Sequence, residues 1–562
     1  MIITRWNFRI LSAFLSLLAM GTAGAFAQAP LKLPLNHRLL QHNPDALRLM
    51  QPHYPPAPAV APAPGPWQLT TNLFPGSGTP GNPLLMTDGT VIVQQQSTQA
   101  WYQLRPDNTG SYVGGTWSTF ASLPSGYGPL FYASEVLPDG RVVINGGEYN
   151  NGAEVRTTLG AIYYPSVGVW INVAPPAGWP MIGDAPSIVL DNGTYMLAGC
   201  CNFPALLALF NPTPPFTSAR WTATGGNKAD DPNEEGFTLL PNGKVLAVDV
   251  YVNLYPNCPA IFGSEVYDPN TGSWSSAGTV PVQLPDCGGA NATYELGPQA
   301  LRPDTAADGS GDNVIVFSGT TAAGNNFGTG GPPHTAIYNT STGTWAAGPN
   351  VPNSPTGAVQ TLADAPAATL PSGNVLFAAG PFSAAFASPT NFYEVGPNSA
   401  GNPFTLVTAN NTDAPSGGSF LWNFLMLPTG QVLAVAPQHT QHVWIYTPSG
   451  SADASWLPVI NTSPTDVTRG GTYQLTGTQF NGLSQGAVYG DDVQANTNYP
   501  IVEIVNTATG HAFYQRSFGF NTMSVARNTA SSTNFTVLGA TETGPSTLYV
   551  IANGVSSTGV LV

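Results

Sequence analysis

The 562 residues suffice for two or three domains, and charged residues make up only 8% of them, far below the usual quarter of a soluble chain. A net charge of −15 without any run of Lys and Arg excludes a nucleic-acid partner and an anionic membrane surface, because neutralising phosphates requires clustered cations. With 62 Gly and 54 Pro the chain is rich in turns, and amides and hydroxyls must solvate its surface.

At the N-terminus Arg5 and Arg9 precede a mostly apolar stretch from Ile10 to Met20, followed by Ala25-Phe26-Ala27. This pattern predicts a secretory signal over 1–27, cleaved after Ala27; the apolar core is shorter than the ~20 residues of a membrane span, and no later segment is long enough either. Residues 28–66 are rich in Pro and Ala, a composition that predicts an extended tether. Secretion, to an extracellular or periplasmic destination, is the expected localisation.

From Trp67 a beat of about fifty residues sets in. Each beat holds an apolar strand, a tight turn such as Leu137-Pro138-Asp139-Gly140, and a second apolar strand. The turns fall at Gly89, Gly140, Gly193, Gly243, near Gly311, then Gly373 and Gly430. Closing segments keep step as Tyr102 to Trp117, Tyr163 to Trp170, Phe210 to Trp221, Tyr267 to Trp274, Tyr338 to Trp345, Tyr393 to Phe404 and Tyr446 to Trp456. Seven such units with four short strands each predict an all-β chain: a seven-bladed kelch-type β-propeller over 67–456. Beyond it, 457–562 alternates apolar and polar residues between frequent turns, as a small β-sandwich does.

Export makes disulfides possible, and the four cysteines Cys200, Cys201, Cys258 and Cys287 allow three pairings. Cys258 and Cys287 flank the outer half of the fourth unit, where a bridge would close a loop of ~30 residues. A bridge between the adjacent Cys200 and Cys201 needs a distorted turn, since Cα atoms about 3.8 Å apart lie below the usual range; free or differently paired thiols are the other reading.

From Trp67 to Val562 the chain resembles the galactose oxidase and glyoxal oxidase type of secreted kelch protein. The resemblance extends to the segments 458–477 and 544–555, which look like the opening and closing strands of that family's Ig-like (early-set) C-terminal domain. It implies copper and a tyrosyl radical at the starts of inner strands. Seven residues before the Pro of each turn, or its equivalent, stand Thr79, Phe131, Asp184, Glu234, Leu296, Asp364 and Leu421. The family's cross-linked Cys corresponds to Thr79, its partner Tyr to Phe131, its Tyr-His pair to Phe420-Leu421, and its last His to Gln494. Copper wants imidazole and phenolate, so the resemblance implies the fold with copper disfavoured. The stretches 198–201, 228–242 and 295–303 resemble exported bacterial kelch proteins without these ligands, which imply architecture alone.

The same count places Asp184, Glu234, Glu235, Glu295 and Asp364 at inner-strand starts, near one mouth of a central channel. Water and backbone amides satisfy such carboxylates in many proteins. The functional reading is a hard cation such as Ca²⁺, or the hydroxyls of a sugar. A pair at a set separation could also serve glycoside hydrolysis.

His439-x-x-His442 could chelate a transition metal on a helix, but it precedes a strand, where residues three apart point to opposite faces, so His334, His439 and His442 read as surface histidines. Tyr149, Phe203, Tyr251, Tyr255 and Phe327 are candidates for stacking on sugar rings, or for core packing. No phosphate loop, nucleophile elbow or zinc-type spacing occurs. The expected function is therefore recognition of extracellular glycan or a surface protein through loops. The alternatives are an oxidase with unusual ligands or a carboxylate-dependent hydrolase.

Overall fold

The computed structural model describes residues 66–562 except 202–204, 251–261, 286–294, 304–311, 320–332, 382–386, 397–402, 408–410, 437–438, 440 and 490–493. Among these it is all-β, with antiparallel four-stranded units repeated along the chain in the manner of a β-propeller. Among the described residues the units are numbered in chain order by their first strands: Pro80–Leu85, Ala133–Val136, Ser187–Val189, Thr238–Leu239, Gln299–Arg302, Pro366–Thr369 and Asn423–Met426.

The strand-to-strand turns obey one chemistry. In Leu137-Pro138-Asp139-Gly140-Arg141, the amide of Leu137 donates to the carbonyl of Arg141 and that of Gly140 to the carbonyl of Leu137, both at 2.8 Å. The closing residue must take a positive φ, which only glycine does without strain. Gly89, Gly140, Gly193, Gly243, Gly373 and Gly430 all lie between 75° and 83°. The seventh expected turn, near Gly311, lies outside the described residues.

Outer strands are held by cross-strand aromatics. Tyr163 faces Trp170, Phe210 faces Trp221, Tyr267 faces Trp274 and Tyr338 faces Trp345 in direct register. The seventh unit departs from the expected pairing of Tyr446 with Trp456. Its fourth strand is Trp67–Leu69 from the start of the ring, with Trp67 opposite Tyr446. Trp67 is fully buried, its ring 4.8 Å from both Phe392 and Tyr446, while Trp456 ends a short 3-10 turn leading to the C-terminal strands. The pairing covers the edge of Val443–Tyr446 with residues from the first described strand, more than 370 positions earlier in the chain.

Eight of the C-terminal strands from Val459 onward form one sheet. Strand Ala512–Phe518 pairs with Ile501–Asn506 through its first half and with Ala530–Thr536 through its second. A separate core of Leu475, Phe480, Val502, Ile504, Phe535 and Leu548 packs within it. This domain sits on the turn face of the units. Ser517 and Gly519 donate backbone bonds to the carbonyls of Thr87 and Pro138, Met523 to that of Asp191, and a Cβ on Gly89 would lie 2.4 Å from the Tyr514 ring.

One hairpin leaves that domain and enters the ring. Gly486–Tyr489 adds to the inner edge of Pro366–Thr369 in the sixth unit, and Gln494–Asn496 returns beside it. Gln485 Oε1 accepts from the Leu239 amide of the fourth unit at 2.7 Å, and Asn496 Nδ2 donates to Glu135 of the second at 2.7 Å. The hairpin thus touches the sixth, fourth and second units at once.

Candidate functional site

Inner strands of the fourth, fifth and sixth units begin just after Glu234, Glu295 and Asp364. The fold brings these three together, each with a carboxylate oxygen within 4.8 Å of the others'. Glu234 and Glu295 are buried and Asp364 is partly exposed. Their backbones turn sharply to achieve this: Glu234 has φ 61° and Asp364 φ 48°, and Phe131, at the equivalent position of the second unit, has φ 51°. Left-handed non-glycine residues cost about 1–3 kcal/mol and persist where the surroundings impose them. Here the Asp364 amide donates to the Leu296 carbonyl at 3.3 Å, and Asn233 Nδ2 donates to Glu234 Oε1 at 3.1 Å.

Asp184 and Glu235, expected in the same group, go elsewhere. Asp184 lies with the thiols of Cys200 and Cys201. Burial raises its pKa, while a hydrogen bond from Cys200 and the charge of Arg156 oppose the rise. The Cys200 thiol is pushed well up, first by its hydrogen bond with Cys201 and then by burial, which makes it a poor nucleophile. Cys200 and Cys201 are thiols here, not joined to each other. Cys201 Sγ donates to Asn233 Oδ1 at 3.3 Å, so this group reaches the acidic triad through Asn233. Cys258 and Cys287 lie outside the described residues.

Glu235 follows the left-handed turn at Glu234, ahead of strand Thr238–Leu239, and goes to a different set of partners. It meets Lys228, whose Nζ lies 2.7 Å from Asp230, 2.9 Å from Glu235 and 3.0 Å from Glu265, with no exposed side-chain surface. The ammonium also sits 5.1 Å over the Trp274 ring. Burial works against the charge on Lys228, but Glu235, Asp230 and Glu265 outweigh it and hold its pKa well above the ordinary value. With Asp249 alongside, carboxylates outnumber the cation. Burial and then Asp230 push Glu235 well up, and the same causes carry Asp249 to about 8. Asp230, Glu235 and Asp249 each bring a carboxylate oxygen within 4.8 Å of the others', and the raised values of Glu235 and Asp249 favour proton uptake in this cluster. The solitary lysine of the 228–235 run, set among acids, was its signal in the sequence.

At the positions assigned to copper by resemblance, Thr79 Oγ1 donates to Gln96 Oε1 at 2.8 Å. Phe131 and Leu421 line a cavity of about 20 Å³ with Asn82, Gln94, Gln96 and Asn423, room for a water but not a sugar. Phe420 belongs to the 3-10 turn Ser419–Leu421, and Gln494 pairs with Val488 in the 486–496 hairpin. The groups gathered in this cavity are amides, apolar side chains and the buried phenol of Tyr132, whose hydroxyl donates to Gln94 Oε1 at 2.8 Å.

His439 and His442 are not independent surface residues. Strand Val443–Tyr446 begins only after His442, so the two rings escape the alternation of a strand and stack in parallel, centroids 5.1 Å apart and 6° between planes. Both face Asp413, whose side chain is almost wholly buried. His334 Nδ1 bonds Asn350 Oδ1 at 2.8 Å at the surface. Tyr149 is half-buried in a small edge sheet, and Phe203, Tyr251, Tyr255 and Phe327 lie outside the described residues.

No family model matches the chain, and no curated protein does. Solved structures similar to it include a fungal alcohol oxidase of the AA5 family in complex with copper, at 13% identity over 88% of this chain and 98% of that one, with a TM-score of 0.45. Virginiamycin B lyase from Staphylococcus aureus is 9% identical over 68% of this chain and all of that one, with a TM-score of 0.41. YjhT is 14% identical over 68% and 98%, with a TM-score of 0.33. Among the described residues, no helix is long and apolar enough to cross a membrane.

Proposed function

We propose that this chain is an exported recognition protein: a seven-bladed kelch-type propeller whose turn face carries an Ig-like domain and whose opposite face binds extracellular glycan or a surface partner. The observation that carries this reading is the convergence of Glu234, Glu295 and Asp364 from three successive units. Hard carboxylate oxygens so close together suit Ca²⁺, which would offset their repulsion and offer open positions to sugar hydroxyls. The disulfide between Cys258 and Cys287, the leader over 1–27 and an extracellular or periplasmic destination belong to the same proposal.

Copper-radical oxidation is disfavoured in this reading because Thr79, Phe131, Phe420, Leu421 and Gln494 supply neither imidazole nor phenolate. A hydrolase is the second reading. Carboxylate oxygens within 4.8 Å approach the ~5–5.5 Å separation of carboxyl groups in retaining glycosidases, although two of the three acids are buried.

Calcium titration of the purified protein together with a glycan array tests the choice. One Ca²⁺ per chain, with glycan binding abolished by chelator and by Glu234→Gln or Asp364→Asn, is the expected result. Oligosaccharide turnover lost in the same variants would favour the hydrolase. Stoichiometric copper with a radical absorption band would reverse the ranking.

A further inference from the structure

The Asp413, His439 and His442 cluster lies away from the acidic triad and owes nothing to it. Asp413 opens the short 3-10 turn Ala414–Ser416, yet its carboxylate does not cap that turn. It points instead at strand Val443–Tyr446. Oδ2 accepts from the Trp444 indole Nε1 at 2.8 Å, and both oxygens meet His442 Nδ1, Oδ1 at 3.0 Å and Oδ2 at 2.8 Å. His439 Nε2 lies 3.5 Å from Oδ1 and 3.0 Å from Ser416 Oγ. The carboxylate side chain is 1% exposed, whereas those of His439 and His442 are 36% and 29% exposed. Among the described residues its ion-pair partners are these two imidazoles.

Protonated imidazoles are one source of the compensating charge that a buried carboxylate needs. Asp413 Oδ1, His439 Nε2 and His442 Nδ1 offer a different solution. A cation bound at about 2.0–2.2 Å in tetrahedral geometry holds its ligands about 3.3–3.5 Å apart. The observed separations of 3.0 Å and 3.5 Å from Oδ1 bracket that range, and all three ligand atoms fall within 4.8 Å.

We propose that Asp413, His439 and His442 form a binding site for a borderline divalent cation of the zinc type. Two imidazole nitrogens and one carboxylate oxygen are the donor set that such ions select over Ca²⁺. Binding displaces the proton shared between His442 Nδ1 and Asp413 and leaves the Trp444 N–H on Oδ2, where it orients the carboxylate. The half-exposed rings give the ion a way in and leave its fourth position to water. Bound there, it ties the 411–416 connection to the start of the third strand of the seventh unit.

The test is equilibrium dialysis of the full chain against Zn²⁺, with Co²⁺ as the spectroscopic probe. One ion per chain is expected, with the intense visible bands of tetrahedral Co²⁺ and no displacement by excess Ca²⁺. His439→Ala and His442→Ala should each weaken binding by about a hundredfold or more. Trp444→Phe, which keeps the packing but removes the N–H, should weaken it about ten- to a hundredfold. Glu234→Gln should leave it unchanged, which separates this site from the acidic triad. Asp413→Asn risks misfolding, so the half-exposed His439→Ala, checked by its thermal transition, decides. Absence of stoichiometric Zn²⁺ at micromolar concentration overturns the proposal, as does binding that survives both histidine substitutions or falls with Glu234→Gln.

Discussion

Asn496 donates from Nδ2 to Glu135 Oε1 at 2.7 Å, joining the 486–496 hairpin to the second unit across 361 residues of chain. Glu135 is buried, and burial pushes its pKa well above the carboxylate range against the opposing bond from Asn496. Burial thus favours the protonated carboxyl, which still offers an oxygen to the amide. Glu135→Gln keeps that acceptor and should leave stability at pH 7 nearly unchanged. Asn496→Ala leaves a buried acceptor unmet and should cost about 1–3 kcal/mol in denaturant unfolding. Substitution by Gln being much worse than by Ala at these positions would contradict a neutral Glu135.

Stability should fall as pH rises from 5 to 8.5. Burial, the largest cause in each case, raises Asp231 to about 7, Glu503 to about 7 and Asp249 to about 8. The folded state therefore binds more protons than the unfolded chain between pH ~4 and these values, and the slope of unfolding free energy with pH is negative there. Below pH ~4 both states are protonated and the penalty vanishes. Thermal midpoints across this range check the sign, and Asp249→Asn should flatten the curve near pH 8.

Lys228 holds its carboxylates in place, and removing one partner of a buried pair leaves the others uncompensated. Lys228→Met should cost about 3–5 kcal/mol at pH 8. The loss should shrink at pH 5, where the acids take up protons. Chemical denaturation at the two pH values distinguishes this from simple loss of packing, which pH would not change.

Trp67 ties the first described strand to the seventh unit. Trp67→Ala should cost about 3–5 kcal/mol, as large-to-small changes in a packed core do. Removing residues 1–70 should expose the edge of Val443–Tyr446 and promote association, readable by light scattering. Removing residues 1–65 should do neither.

The repeat was legible in the sequence because each unit is local. A Leu-Pro-Asp-Gly turn and a Tyr–Trp pair lie within one unit, and their physics needs no distant partner. Those residues announced the sheets, and the strand-start count found Glu234, Glu295 and Asp364. Asp184 and Glu235 escaped it because their directions depend on neighbours: the Cys200–Cys201 thiols for one, Lys228 for the other. Trp67 beside Tyr446, Asn496 on Glu135, and Asp413 beneath His439 and His442 were out of reach for the same reason. In each, groups separated in sequence meet only through tertiary packing. Spacing along a strand fixes which side a residue faces, but what it meets there is settled by packing.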